Sequence, residues 1–273
     1  MSRASNRPPK LEPRTATSQP APPPTSEQLL ERAKVAGPSP SGPGPTEFRR
    51  TVERIAIADR RALGEVAPIP GLDAERAWAS VTETFGASPD LPAIAATRTV
   101  AATRRARERV VEVASSGARV AVVTSCPASL LTVQLAFAQL ARAAGGEIID
   151  LADFGPIRAD GRTPRWLRWI GGVAVVTDGR ALCDTSDGEA AREWMFAVPR
   201  PALVIADGPF AEVAWESGVE VVALVGLDRP ALAVAVADGG RGTIVPMHTD
   251  RPARAYGEIE RLVGQSDDAA DPA

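Results

Sequence analysis

The chain has 273 residues, 44% of them hydrophobic, and a net charge of −3 at pH 7, values typical of a soluble globular protein. This charge gives no overall basic character, so we predict no nucleic-acid partner. The first residues, MSRASNRPPK, lack the apolar core of a signal peptide, and no apolar run approaches the roughly 18 residues of a membrane helix, so we expect a cytoplasmic protein with no membrane partner.

A proline-rich segment opens the chain. Residues 1–45 contain 11 of the 25 prolines and no aromatic residue. Such a segment buries too little apolar surface to offset the entropy of ordering, so we predict a disordered tail, within which residues 26–36 could form a short helix. The acidic end, 265–273, is predicted to be a second disordered tail. Between them we expect a single α/β domain over residues 46–264.

The domain is predicted to have a helical portion, 46–116, and a Rossmann-like sheet portion, 117–264. In the helical portion, apolar residues recur at helical spacing in three stretches, 46–64, 73–85 and 94–115. In the sheet portion, short apolar runs alternate with helical patterns. The predicted strands are 119–124, 147–151, 202–207, 220–226 and 243–247. The predicted helices are 127–144, 209–217, 230–237 and 252–263. This alternation predicts an α/β fold with a mostly parallel sheet flanked by helices.

Residues 155–185 do not follow the strand–helix alternation. Two Asp-Gly pairs lie there between apolar runs, which is a strong signal for antiparallel hairpins. We therefore predict an antiparallel hairpin insertion at the edge of the sheet.

Polar residues at the predicted strand ends are the candidates for a binding site. In open parallel sheets, ligands bind beyond the carboxyl ends of the strands. Thr124, Ser125 and Ser129 surround the start of the helix that follows the first of these strands, where free N–H groups favour a phosphate. The alternative is that Ser125 only caps this helix.

Three aspartates follow other strands: Asp150, Asp207 and Asp228. Carboxylates beside a phosphate are the ligands that Mg²⁺ prefers, so we expect Asp207 and Asp228 to hold Mg²⁺, with Asp207 and Asp150 as catalytic candidates. The alternative for Asp207 and Asp228 is N-capping of the helices after them.

Several familiar motifs are missing. The sequence has no GxGxxG, no GxxxxGK[ST] and no GxSxG. Cys126 has no arginine shortly after it to close a phosphate loop, so a buried thiol is favoured over a nucleophile. His248, the single histidine, is interpreted as an ordinary loop residue.

Four stretches, TSCPASLL, VTDG, IADG and LDRPALA, resemble a group of actinobacterial proteins usually called simply "phosphatase". The similarity covers about residues 46–263. It implies an α/β protein with a helical N-terminal portion and a phosphatase activity.

The first hypothesis is a metal-assisted phosphatase that acts on a small phosphorylated metabolite. Arg165 or Arg180 would offset charge on the transferred phosphoryl group. The second hypothesis is a non-catalytic sensor of a nucleotide or sugar phosphate, and the third is a scaffold whose proline-rich tail recruits partners. The oligomeric state is not predicted.

Overall fold

The structure, a computed structural model, describes residues 23–38, 42–157 and 164–265. The described residues form ten α-helices: α1 Ser26–Arg32, α2 Pro45–Ala56, α3 Arg60–Leu63, α4 Ala74–Phe85, α5 Ala96–Ser115, α6 Pro127–Ala143, α7 Gly188–Ala197, α8 Gly208–Glu216, α9 Ala231–Ala237 and α10 Gly257–Gly264. They form ten strands: β1 Gly37–Pro38, β2 Ala93–Ile94, β3 Arg119–Thr124, β4 Glu147–Ile148, β5 Phe154–Ile157, β6 Arg165–Ile170, β7 Val173–Thr177, β8 Leu203–Asp207, β9 Glu220–Val225 and β10 Gly242–Pro246. The predicted α/β class is confirmed. None of the helices in these ranges combines the length and apolar character needed to cross a bilayer.

The main sheet has eight strands in the order β10-β9-β8-β3-β7-β6-β5, with β4 paired to the first half of β3. Strands β10, β9, β8, β3, β4 and β7 are parallel, and β6 and β5 continue antiparallel at one edge. Strands β3, β7, β8 and β9 of this parallel part are almost wholly buried, which explains their continuous apolar sequences.

The direction of the chain across the sheet reverses between β3 and β8. From β3 the chain moves toward β7 and the antiparallel edge, whereas from β8 it moves away through β9 to β10. Because such crossovers are right-handed, α6 and α8 leave β3 and β8 toward opposite faces of the sheet. A crevice forms at a reversal of this kind, at the carboxyl ends of the two strands.

The register of the central strands aligns the predicted polar residues. Val120 lies opposite Leu203 and Val122 opposite Ile205, so the same register continued brings Thr124 beside Asp207. Asp207 in turn pairs with Leu224 of β9. The carboxyl ends of β3, β8 and β9 therefore lie side by side at the same edge of the sheet.

The predicted antiparallel insertion is confirmed, and a Gly-Gly pair forms the turn between two of its strands. Strands β6 and β7 are joined by Gly171 and Gly172, both with positive φ (58° and 86°), as a tight turn between right-twisted strands requires. Asp178 and Gly179 form a turn after β7, where the Asp178 carboxylate accepts hydrogen bonds from the N–H groups of Arg180 and Ala181. The other Asp-Gly pair, at 160–161, lies outside the described residues.

Two element boundaries differ from the sequence prediction. The expected helix 46–64 is interrupted at Ala58, whose φ is +60°, and Asp59 then caps α3. The expected strand 147–151 is reduced to β4, because β7 takes the place beside the second half of β3.

Residues 26–38 are folded, which corrects the predicted disordered tail of residues 1–45 in this part, and α1 lies within the short helix that the sequence allowed at 26–36. Leu30, Val35 and Ala36 are buried, and β1 pairs with β2. The carbonyl of Val35 accepts a hydrogen bond from the N–H of His248, just beyond β10. Residues 1–22 of that predicted tail, and residues 266–273 of the C-terminal one, lie outside the described residues.

Candidate functional site

Ser125 and Asp207 are in direct contact at the reversal point of the sheet. The backbone N–H of Ser125 donates to Asp207 Oδ2 at 3.0 Å, and the Ser125 hydroxyl donates to the same oxygen. Ser125 follows β3 and Asp207 is the last residue of β8, so the parallel register is what brings them together.

Asp207 is a buried carboxylate with neutral partners. Its side chain is 1% exposed, and Gln134 Nε2 of α6 donates to Oδ1 at 3.4 Å. Burial raises the pKa of Asp207, and the donors Ser125, Thr124 and Gln134 oppose the rise by stabilising the ionised form. Within the described residues, Asp207 forms no ion pair. Such a carboxylate is costly to bury, which makes it a candidate functional group.

A cavity of about 130 Å³ opens over this contact. It lies at the ends of β3, β8 and β9, as the rule for parallel sheets predicts. Its polar and charged lining residues are Ser125, Cys126, Thr185, Ser186, Asp207, Glu212, Asp228, Arg229 and Thr249.

A partly buried ion pair forms one wall of the cavity. Glu212 of α8 is 2% exposed and accepts from Arg229 Nε at 3.1 Å and Nη2 at 2.7 Å. The N–H of Glu65, from the helical portion, donates to Glu212 Oε2 at 3.0 Å. Burial raises the pKa of Glu212, while the Arg229 guanidinium opposes the rise. The pair therefore holds the guanidinium at the cavity and joins the two portions of the domain.

Asp228 also lines the cavity, and it does not cap α9 as the alternative interpretation required. The N-cap of α9 is Pro230, with no side-chain hydrogen bond. Asp228 is exposed, and it accepts no hydrogen bond from any described residue. Its carboxylate is therefore available to a ligand.

Five of the residues predicted from the sequence do not line the cavity: Thr124, Ser129, Asp150, Arg165 and Arg180. Asp150 follows β4, which runs beside only the first half of β3, so Asp150 stops short of the rim and pairs with Arg142 at 3.8 Å. Arg165 begins β6, two strands beyond β3, and Arg180 is exposed in the turn after β7. Ser129 lies in the first turn of α6, where its N–H bonds to the Cys126 carbonyl.

Thr124 supports the site from below the cavity. It is fully buried, and its Oγ1 accepts a hydrogen bond from the N–H of Cys126 at 3.1 Å. Thr124 therefore shapes the turn between β3 and α6 and does not line the cavity itself.

Cys126 lines the cavity as an unreactive thiol. Burial, with the nearby Asp207 carboxylate, raises its pKa to about 12. The thiolate is the nucleophilic form of cysteine, so this thiol is inert near neutral pH. Cys126 is only partly buried, so the interpretation as a buried thiol holds in part.

The donor set for a metal ion is small. Among the residues that the structure describes, no three of His, Cys, Asp and Glu are grouped so as to hold a metal. Mg²⁺ needs one or two protein carboxylates and completes its shell with waters and substrate oxygens. Asp228 fits this requirement, whereas Asp207 Oδ2 already accepts two hydrogen bonds from Ser125.

The comparisons with known proteins agree with the resemblance noted in the sequence. The family described as Phosphatase matches residues 71–268, which is most of the chain. The chain belongs to the Phosphatase family. Phosphatase SCO2771 from Streptomyces coelicolor is 30% identical to this chain over 154 residues, covering 55% of this chain and 57% of the relative. The chain therefore aligns with little more than half the length of that curated relative. No solved structure matches this chain.

Sequence reasoning about this Phosphatase-family chain missed Glu212 and Arg229. The sequence signal for Glu212 was a single carboxylate within the otherwise apolar start of α8, GPFAEVA. A charged residue in a helix segment this apolar is expected to be buried with a partner. Arg229 follows Asp228 directly, but the Asp-x-Pro pattern was interpreted as a helix N-cap, and Arg229 was not considered as a site residue.

Proposed function

We propose that this protein is a phosphomonoesterase whose active site is the cavity at the ends of β3, β8 and β9. One observation carries the proposal: a serine hydroxyl held by a buried carboxylate shares the cavity with a guanidinium and a free carboxylate. The Phosphatase family and the name of the Streptomyces relative support the same activity.

In this proposal the phosphate lies between Ser125 and Arg229. Helix α6 starts two residues after Ser125, and α8 starts directly after Asp207, so the positive ends of both helix dipoles face the cavity. Arg229 takes the role expected of Arg165 or Arg180, because it is the arginine that lines this cavity. The Nε and Nη2 of Arg229 already donate to Glu212, so Nη1 is the nitrogen left to donate to a phosphate oxygen.

The charge of the cavity argues for a divalent cation. Asp207, Glu212 and Asp228 contribute three negative charges when ionised and Arg229 one positive charge, which leaves a formal charge of −2. A phosphate dianion would be repelled by this balance. We infer that Asp228 would hold Mg²⁺, and that the ion would neutralise charge on the phosphate.

The organic part of the substrate has a place beside the phosphate. A second cavity of about 140 Å³ shares Asp228 and Thr249 with the first. Its other lining residues are Gly42, Pro43, Leu227, His248 and Asp250. A space of this size fits the small organic group of a phosphorylated metabolite better than a protein substrate.

The test is release of inorganic phosphate from a panel of small phosphomonoesters, with Mg²⁺ or with EDTA. We expect turnover that EDTA abolishes and Mg²⁺ restores. Asp228→Asn should raise the Mg²⁺ concentration for half-maximal activity by about 10–100-fold. Asp90→Asn is the control, because Asp90 pairs with Arg49 on the surface and its side chain is 90% exposed.

The outcomes separate the parts of the proposal. Turnover that EDTA leaves unchanged would reject the role of the metal while keeping the phosphatase. A complete lack of turnover across the panel would reject the activity and favour the non-catalytic sensor, which calorimetry would detect as binding of an intact phosphate ester.

A further inference from the structure

We propose that Ser125 is the nucleophile of the reaction and that Asp207 receives its proton, so that a phosphoserine intermediate forms. This inference rests on the proposed function, because it assigns the attacking atom in the same cavity. The alternative is direct attack by water on the substrate.

The geometry fixes the Ser125 hydroxyl toward the carboxylate. Both the N–H and the hydroxyl of Ser125 donate to Asp207 Oδ2, so the side chain and the backbone of one residue converge on one oxygen. Gly208 lies close to this hydroxyl: a Cβ added to this residue would lie 2.5 Å from Ser125 Oγ. The glycine therefore leaves the room that the hydroxyl needs beside its acceptor.

Asp207 has the properties of a base held for chemistry. It is buried without a cation among the described residues. Burying this charge costs more desolvation free energy than burying a hydrogen-bonded neutral side chain would. Gln134 fixes its second oxygen, and Gln134 Oε1 is itself buried with no hydrogen-bond partner. The buried carboxylate without a cation and the buried amide oxygen without a donor both destabilise the fold. A reaction that uses the carboxylate explains why they are present.

The same contacts disfavour water as the nucleophile. Oδ2 accepts two hydrogen bonds from Ser125, so a water could use this oxygen only by displacing the serine hydroxyl. The neighbouring Cys126 is excluded as a nucleophile by its raised pKa. Ser125 Oγ is thus the oxygen of the cavity lining that already shares its proton with a buried base.

The reaction balances in two displacements. In the first, Ser125 Oγ bonds to phosphorus, its proton moves to Asp207, and the ester oxygen leaves and takes that proton as an alcohol. In the second, water attacks the phosphoserine and gives its proton to Asp207, while Oγ leaves and recovers the proton. The products are the alcohol and inorganic phosphate, with no redox change.

Stereochemistry at phosphorus tests the inference in the unmodified protein. Two in-line displacements give net retention, whereas one direct attack gives inversion. The measurement follows transfer of an isotopically chiral phosphoryl group from p-nitrophenyl phosphate to an added diol. Retention is expected, together with a phosphorylated peptide containing Ser125 after acid quench. Inversion, or phosphate found on a different residue, would overturn the inference.

Two variants give an independent measurement. Ser125→Ala should lower kcat by at least about 10³-fold, since the attacking atom is gone. Asp207→Asn should lower kcat by about 10²–10⁴-fold while p-nitrophenyl phosphate still phosphorylates Ser125 slowly. Ser115→Ala is the control, because Ser115 is an exposed serine at the end of α5 that bonds only to the Glu112 carbonyl.

The failures of the two proposals are distinguishable. If no phosphomonoester turns over, the proposed function fails and this inference with it. If turnover occurs with inversion, or a folded Ser125→Ala variant keeps the parent kcat, only the serine nucleophile is rejected. Circular dichroism of each variant establishes folding, and the stereochemical result decides if Ser125→Ala does not fold.

Discussion

At the scale of single residues, the site depends on a close approach between the turns after β3 and β8. Gly208 has a φ of +54°, in the left-handed region that favours glycine, and it leaves no room for a Cβ beside Ser125. Any side chain at 208 would have to move the hydroxyl that Asp207 holds.

We predict that Gly208→Ala loses more activity than stability alone explains. A Gly→Ala change at positive φ costs roughly 1–2 kcal/mol of strain. Gly218→Ala is a matched control, because Gly218 has a φ of +75° and a Cβ added there would meet nothing within 4 Å. Urea denaturation should show the backbone strain in both variants, with an added loss in Gly208→Ala from the contact with Ser125, whereas kcat should fall only in Gly208→Ala. Equal kcat values in the two variants would show that Ser125 need not be held in place.

The strand-end rule located part of the site from the sequence. Ser125, Asp207 and Asp228 share a cavity because the ends of parallel strands share one edge. Asp150 was placed at this edge by the same rule and does not reach it, since the sequence does not show that β7 displaces β4 along β3. Glu212 was missed because a helix sequence does not reveal which face meets another part of the chain.

At the scale of elements, local sequence patterns predicted the helices and strands that local contacts determine. The apolar runs predicted β3, β8, β9 and β10 closely and β4 at more than its true length, and Asp73 caps α4 through the N–H of Arg76. Asp178 and Gly179 form a turn, in line with the Asp-Gly signal, whereas the turn of Gly171 and Gly172 between β6 and β7 was not predicted.

The N-terminal segment shows where composition misleads. Proline content predicted disorder, yet α1 buries Leu30, and the imidazole of His248 donates from Nε2 to the Gly37 carbonyl at 2.9 Å. Burial lowers the pKa of this histidine, which keeps the ring neutral. The contacts of His248 with Val35 and Gly37 join residues more than 200 positions apart in sequence. No local sequence pattern predicts them.

We predict that Leu30→Ala destabilises the protein by about 2–5 kcal/mol, the usual cost of a cavity at a buried leucine. Leu91→Ala is the control, because Leu91 is 58% exposed, and it should change stability by less than about 0.5 kcal/mol. Urea denaturation of the full chain measures both. Identical unfolding midpoints for the two variants would contradict the packing of α1 onto the domain.

At the scale of the whole molecule, the site is closed by parts of the chain that are distant in sequence. The helical portion reaches it through Glu65, whose N–H binds Glu212, and Ala67 N–H donates to Glu216 at 2.6 Å. The turn near Gly42 and Pro43 lines the second cavity. The fold class followed from the alternation of patterns, but this closure depends on tertiary packing that the sequence does not display.

The central claim is that Ser125, Asp207, Asp228 and Arg229 form one phosphate-handling site. The most direct measurement is a crystal structure of the protein with Mg²⁺ and vanadate, an anion that mimics the transferring phosphoryl group. We predict vanadate bonded to Ser125 Oγ, contacted by Arg229, with the metal at Asp228. Vanadate bound only away from this cavity, for example in the groove between α5, α6 and α10, would contradict the account.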